Sequence, residues 1–479
     1  MRRTILLLGL CLTGVCWMAI PAEQCQAAIH ASTVWECRAT GNVANGGGYN
    51  PANATPGTDR SQQDAAEDSG TDLACADGDA ASPVVTSATH NFVDADEGNI
   101  IRISEAGTGF TLGWYEVVST SANAATLDRA CGANGALTGG DWALGGAIAL
   151  GSTAIDAEFW QAGSGNGVVA GNTVYCKGAW SLSEAMNATG NDGTGALPIK
   201  VIGYATTRAT IPYGDDLPNW DMGANAFVIG DYWIVRNIHL TGTGTYVISP
   251  YANCVLDNCI VTNTSGTANR SAIYPGGTDT TFRGCIVSST NGYGIEAGEV
   301  CQRVLDSFIY TSAAGMRLGN RSVAVNNVIY NCTIGASLLG YGHTYYGNSF
   351  STCATAFSGG ENNACTIINN IIDNSATAEA TWTSAQMTYC AYNCWGEATP
   401  TLTNVTAGIT DILSDPGLTS PAGGDFTVGA ASVVLNAGSF NGANLGLTGA
   451  YKQNIGVDQD DQTAGGSTVI MTPDPVFIQ

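Results

Sequence analysis

The chain repeats one short pattern of apolar and polar positions. The segments VRNIHL (235–240), LDNCIV (256–261), FRGCIV (282–287), LDSFIY (305–310), VNNVIY (325–330), YGNSF (346–350) and INNII (368–372) share it. Each gives an apolar residue, a variable residue, a small polar residue and a short apolar run. The small polar slot falls at Asn237, Asn258, Gly284, Ser307, Asn327, Asn348 and Asn370, and an outlying YNCW places Asn393 in line. Successive steps are 21, 26, 23, 20, 21, 22 and 23 residues. Such a period marks stacked copies of one supersecondary unit. No copy holds ten residues of helical periodicity. Each has short β-branched runs broken by Gly, Asn, Ser and Thr, which is strand-and-turn chemistry. A leucine-rich repeat has a similar period, but here Leu is scarce and Asn dominates the slot.

One rung of a parallel β-helix per copy satisfies the pattern. Asn tolerates the left-handed conformation that a sharp bend between strands demands. Stacked amides can then hydrogen-bond along a column, so Asn237, Asn258, Asn327, Asn348 and Asn370 are expected to form a structural ladder. Two outward columns follow from strand alternation. One holds Arg236, Asp257, Arg283 and Asp306, whose alternating signs suit ion pairs between neighbouring rungs. The other holds Tyr274, Glu296, Arg317, Ser337 and Phe357, with Ile273, Ile295, Met316, Ala336 and Ala356 pointing inward.

Outside the repeats the pattern changes. Residues 1–27 read as a secretory signal peptide: Arg2 and Arg3, an apolar run over 4–20, and small residues Cys25 and Ala27 before a cut at Ala28. The bland alternative is a membrane anchor, since the run nears the lower limit for spanning. No other stretch is long and apolar enough to cross a bilayer, so the mature chain is expected to be exported and free of membrane spans. Residues 32–150 lack the repeat. IIRI (100–103), WYEVV (114–118) and ATLDRA (125–130) read as strands between Gly- and Asp-rich turns, a small N-terminal β module ending near GGDWALGGA (139–147). The helix is expected over 168–400, with a closing segment and tail over 401–479.

Charge narrows the partners. Sixteen Lys and Arg stand against 40 Asp and Glu, for a formal charge of −24. Such a chain repels nucleic acid and anionic lipid. The acidic runs Asp77–Asp79 and Asp94–Asp96–Glu97 leave Ca²⁺ open as a cofactor, although they lack the spacing of a calcium loop and read first as solvated turns. No zinc pattern completes Cys390 and Cys394. Of 16 Cys, three fall in the signal stretch and thirteen remain. Cys259 and Cys285 hold one position in successive rungs, as do Cys332 and Cys353. Buried free thiols are the favoured reading, with stacked disulfides the alternative.

GNTVYCKGAW (171–180) and GTGALPIKVIGY (193–204) resemble the opening "aGDTVYvkaGtY … GTaaaPItiiGY" of secreted β-helix proteins of the pectate-lyase-like superfamily. SDPGLTSPAGGDFTVGAASVVLNAG (414–438) is similar to that family's closing segment. NIGVD (454–458) is similar to its terminal "DIGA.E", with Asn454 and Val457 as departures. The resemblance implies an all-β, right-handed parallel β-helix. It leaves function open, because the superfamily holds lyases, hydrolases, epimerases, adhesins and tailspikes.

Catalytic signatures are scarce. The family's pectate lyases cluster Asp with Arg and Lys, and the repeat region has no Lys. The polygalacturonase motifs are missing, and Gly342–His343 is only an echo of one. An aromatic, an acid, a base and a hydroxyl in line suit sugar instead: Tyr274, Glu296, Arg317, Ser337 and Phe357 form a candidate polysaccharide-binding strip, against the plainer reading of a solvated face. Were the protein catalytic, Glu296 with Arg317 beside it would be the acid or base. Three functions are therefore carried forward. The first is a secreted protein that binds extracellular or cell-surface polysaccharide. The second is a polysaccharide lyase or glycoside hydrolase acting on an acidic glycan. The third is a tailspike, fibre or adhesin, which implies trimers.

Overall fold

The structure is a computed structural model that describes residues 29–150, 158–161, 167–182, 185–212, 214–298, 300–360, 364–373, 377–383, 388–420, 425–428 and 432. The signal stretch and the 454–458 motif lie outside the described residues, as does most of the tail. The chain builds three parallel sheets that share one core. Each rung contributes one short strand to each sheet, then steps to the next rung. The first sheet runs from Val34–Arg38 and Thr173–Lys177 to Thr388–Ala391. The second runs from Ala179–Ser181 to Ile371–Asp373, and the third from Met186–Asn187 to Leu402–Thr403. Neighbouring rungs pair in parallel throughout. Among the described strands of these three sheets only Gly48–Tyr49 lies antiparallel, on Val34–Arg38, where it covers the open edge of the first rung. The 32–150 stretch is thus shared: its first strand begins the helix, and residues 68–144 close a separate six-stranded antiparallel barrel.

Alternation within each short strand sends one residue inward per rung, and the inward residues stack. Val201, Val235, Leu256, Phe282, Val304 and Ala324 form one fully buried column of the first sheet. Each large side chain buried this way is worth about 1.5–3 kcal/mol. The first rungs are wider and hold Trp35, Trp160, Trp220 and Trp233 with Phe159 and Phe227, packed edge to face. The barrel has its own core, centred on Ile101, Tyr115, Leu127 and Trp142.

The polar slot resolves into two columns one residue apart. The left-handed corner is held by Asn237, Asn258, Gly284, Asp306, Asn326, Gly347 and Asn369, with φ between 49° and 66°. The residue after the corner points inward, and there the ladder forms. Asn327 Nδ2 donates to Asn348 Oδ1 (2.9 Å), Asn348 to Asn370 (3.0 Å) and Asn370 to Asn393 (3.1 Å). Each Oδ1 also accepts the backbone N–H of the preceding ladder residue, and each Nδ2 also donates to a backbone carbonyl. Asp411 ends the column by accepting both donors of Asn393. Asn237 and Asn258 are not in this ladder. They sit on the corner column and pair only with each other, at 2.8 Å. In their rungs Ile238 and Cys259 take the inward place, and in the next rung Cys285 does.

The same one-residue slip corrects the charged column. Arg283 stands opposite Leu305, not Asp306, because Asp306 occupies the corner. The ion pairs therefore span three rungs: Asp257, nearly buried, bridges Arg236 and Arg283 at 2.8 Å each. The thirteen cysteines of the described residues are free thiols, and all but Cys301 are buried.

Replacing Asn348 by Leu orphans donors and acceptors on both neighbouring rungs, all buried. The expected cost is about 3 kcal/mol or more, read by urea unfolding, since each unmet buried group costs about 1–3 kcal/mol. Asn258→Ala should cost only about 1–2 kcal/mol, the price of a left-handed alanine.

Candidate functional site

The outer face of the third sheet carries a continuous polar column. Hydrogen-bonded register places Tyr274, Glu296, Arg317, Ser337, Ser358, Thr381 and Thr403 one above another. Phe357 is not part of it. It lies opposite Ala336, fully buried, with its ring 4.5 Å from that of Phe350 and 5.3 Å from that of Tyr345. The cause is local. In three earlier rungs a glycine precedes the inward residue (Gly294, Gly315, Gly335). In 355–359 Ala356 holds the glycine's place, and register puts Phe357 at the inward position of Ile295, Met316 and Ala336, so Ser358 turns outward.

Strict alternation fails here in a second way. Gly294 and Ile295 are both buried, while Tyr293 and Glu296 both face out. Glycine permits this: a Cβ on Gly294 would stand 2.6 Å from the Gly315 carbonyl oxygen. The bend sets a second outward column, Tyr246, Ser271 and Tyr293, beside the first. Sequence reasoning missed these three, because alternation assigns them no common face.

The two columns meet around one ion pair. Arg317 Nη1 donates to Glu296 Oε1 at 2.8 Å and to Tyr293 Oη at 3.3 Å. Its guanidinium lies over the Tyr293 ring, 5.1 Å from the centroid. Glu296 Oε2 accepts the Ser271 hydroxyl at 2.5 Å. One rung earlier Tyr274, 38% exposed, stacks on Tyr246 with centroids 5.6 Å apart and planes at 17°. The result is a platform of parallel aromatic faces, then an acid and a base locked together, then a run of four hydroxyl side chains.

The strip around Glu296 does not offer paired carboxylates. Among the described strands of the third sheet the acids are Glu296 and Glu379, four rungs and hence about 19 Å apart. Glycoside hydrolysis needs a pair within about 10 Å. Glu379 is also buried, and that burial raises its pKa, as does the Glu397 carboxylate held against it in the adjoining loop. His343 points into the core, its Nε2–H donating to the Leu339 carbonyl at 3.2 Å, and burial lowers its pKa. The acidic runs of the N-terminal module are drawn into local hydrogen bonds. Both oxygens of Glu97 accept from Thr55 and Thr120, one oxygen of Asp94 accepts from Thr120, and one of Asp96 accepts the Val93 N–H beside His90. Asp77 and Asp79 likewise accept from Gly135 and Asn134. Among the described residues no three His, Cys, Asp or Glu are grouped to hold a metal.

Two outcomes follow. Glu296→Gln should leave unfolding free energy within about 1 kcal/mol of the parent, because a partly exposed pair contributes little; urea unfolding checks it. His343, with its folded pKa below the unfolded value, binds fewer protons folded than unfolded. Stability should therefore fall as pH drops below about 6.5. His343→Leu should flatten that slope in a pH series of thermal unfolding.

No family model matches the chain, and no curated protein matches it. Solved structures match in fold. One is a pectate lyase: 14% identity, TM-score 0.39, covering 60% of this chain and 88% of that one. Another is an alginate lyase of the PL6 family: 14% identity, TM-score 0.38, covering 50% of this chain and 37% of that one. A third is the Dettilon tailspike protein: 14% identity, TM-score 0.27, covering 53% of this chain and 57% of that one. This chain thus spans less than two thirds of the alginate lyase and of the tailspike. With three parallel sheets wound rung upon rung, the chain is a parallel β-helix protein.

Proposed function

We propose that this protein is exported and binds polysaccharide along the outer face of its third sheet, without cleaving it. The observation that carries the reading is the stacked Tyr246–Tyr274 pair, set one rung from the Glu296–Arg317 pair. Aromatic faces pack against the apolar faces of pyranose rings, and convergent polar groups fix their orientation. A parallel β-helix repeats its outward groups every ~4.8 Å along a straight axis, so a linear polymer meets one set of groups per rung. A hydrolase reading draws no support from the two acids of this sheet, which stand too far apart. A lyase reading would need a base and a cation site, and the Glu296 carboxylate is already engaged by Arg317 and Ser271.

The test is a glycan panel with three readouts: retention in affinity electrophoresis, new reducing ends, and new unsaturated uronate ends. The expected result is retention on one glycan with neither kind of new end. Tyr274→Ala should weaken that retention about tenfold, equivalent to about 1.4 kcal/mol. New ends of either kind, lost in Glu296→Gln, would replace the binding protein with an enzyme.

A further inference from the structure

We infer that the glycan this strip takes is uncharged, a neutral hexose polymer and not a polyuronate; the inference rests on the binding reading above. The charge at the centre of the strip is already balanced within the protein. Arg317 is the base of the central column, and its guanidinium is held 2.8 Å from Glu296. A uronate carboxylate could recruit Arg317 only by displacing Glu296, which would leave that half-buried acid unpaired. Such an exchange gains one charge-assisted contact and loses another. Beyond Arg317 the column offers only hydroxyls, at Ser337, Ser358, Thr381 and Thr403. Hydroxyls both donate and accept, which suits sugar hydroxyls and gives no preference for an anion.

The longer-range field points the same way. Arg270, which hydrogen-bonds Thr245 at the edge of the strip, is a charge that would favour an anion. It stands against a chain whose formal charge is −24. A polyuronate carries one negative charge per ring and would meet that field along its whole length. At moderate ionic strength the field reaches about 10 Å, two rungs, so several rings feel it together.

The experiment uses the full purified protein in affinity electrophoresis against neutral glucans, galactans and mannans, and against alginate and polygalacturonate, each at low and high salt. Expected is retention on a neutral glycan that salt leaves unchanged. Tyr274→Ala should reduce it about tenfold, while Tyr389→Ala, an exposed tyrosine of the first sheet, should not. Retention on a polyuronate that falls with salt and is lost in Tyr274→Ala would overturn the neutral assignment and leave the strip standing. Retention indifferent to Tyr274→Ala, or none on any glycan, would overturn the strip and the neutral assignment together.

Discussion

The fold depends on satisfying polar backbone at the corner between the first and second sheets. There the chain must turn sharply and bury its N–H and C=O groups in every rung. Water cannot reach them, and an unmet group costs as much as a whole side chain gains by burial. The asparagine ladder meets this need. An amide supplies both a donor and an acceptor, so one residue type can serve the rung before and the rung after. Asp411, which lacks a donor, can only end such a series, and it does.

From that corner the other features follow. Register between rungs is held to the residue, so the inward columns stack and the outward columns align. The core needs no long helix or large loop, and the two ends become the exposed liability. At one end the antiparallel Gly48–Tyr49 segment and the barrel cover the first strand. A cluster around the fully buried Glu36 ties the two parts together. Arg38 and Arg208 both reach its carboxylate, and Arg208 also reaches Asp59 in the loop ahead of the barrel.

The outer face of the third sheet gains its shape from the same register. Tyr274 and Glu296 are distant in sequence, yet they are neighbours because Ile273 pairs with Ile295. The aromatic pair, the ion pair and the hydroxyls each come from a different rung. Their order along the axis is the order of the rungs. A groove in the usual sense is not required, since a linear polymer needs only a straight row of contacts.

The repeat, its period and its strand-and-turn chemistry were legible in the sequence, because burial forces similar residues into every rung. So were the N-terminal module and the stacking of cysteines. What pattern alone could not set was the offset of one residue. LDSFIY aligns equally well with FRGCIV at either of two positions, and the sequence carries no hydrogen bonds to choose between them. The structure chose by burial, placing Asp306 at the corner and Ser307 inward. It removed Asn237 and Asn258 from the ladder and Phe357 from the outer strip for the same reason. Tyr246 and Tyr293 entered the site because two successive residues turn inward after each, Val247 with Ile248 and Gly294 with Ile295. Local composition determined that there would be rungs; only packing between rungs decided which side chain each one shows to solvent.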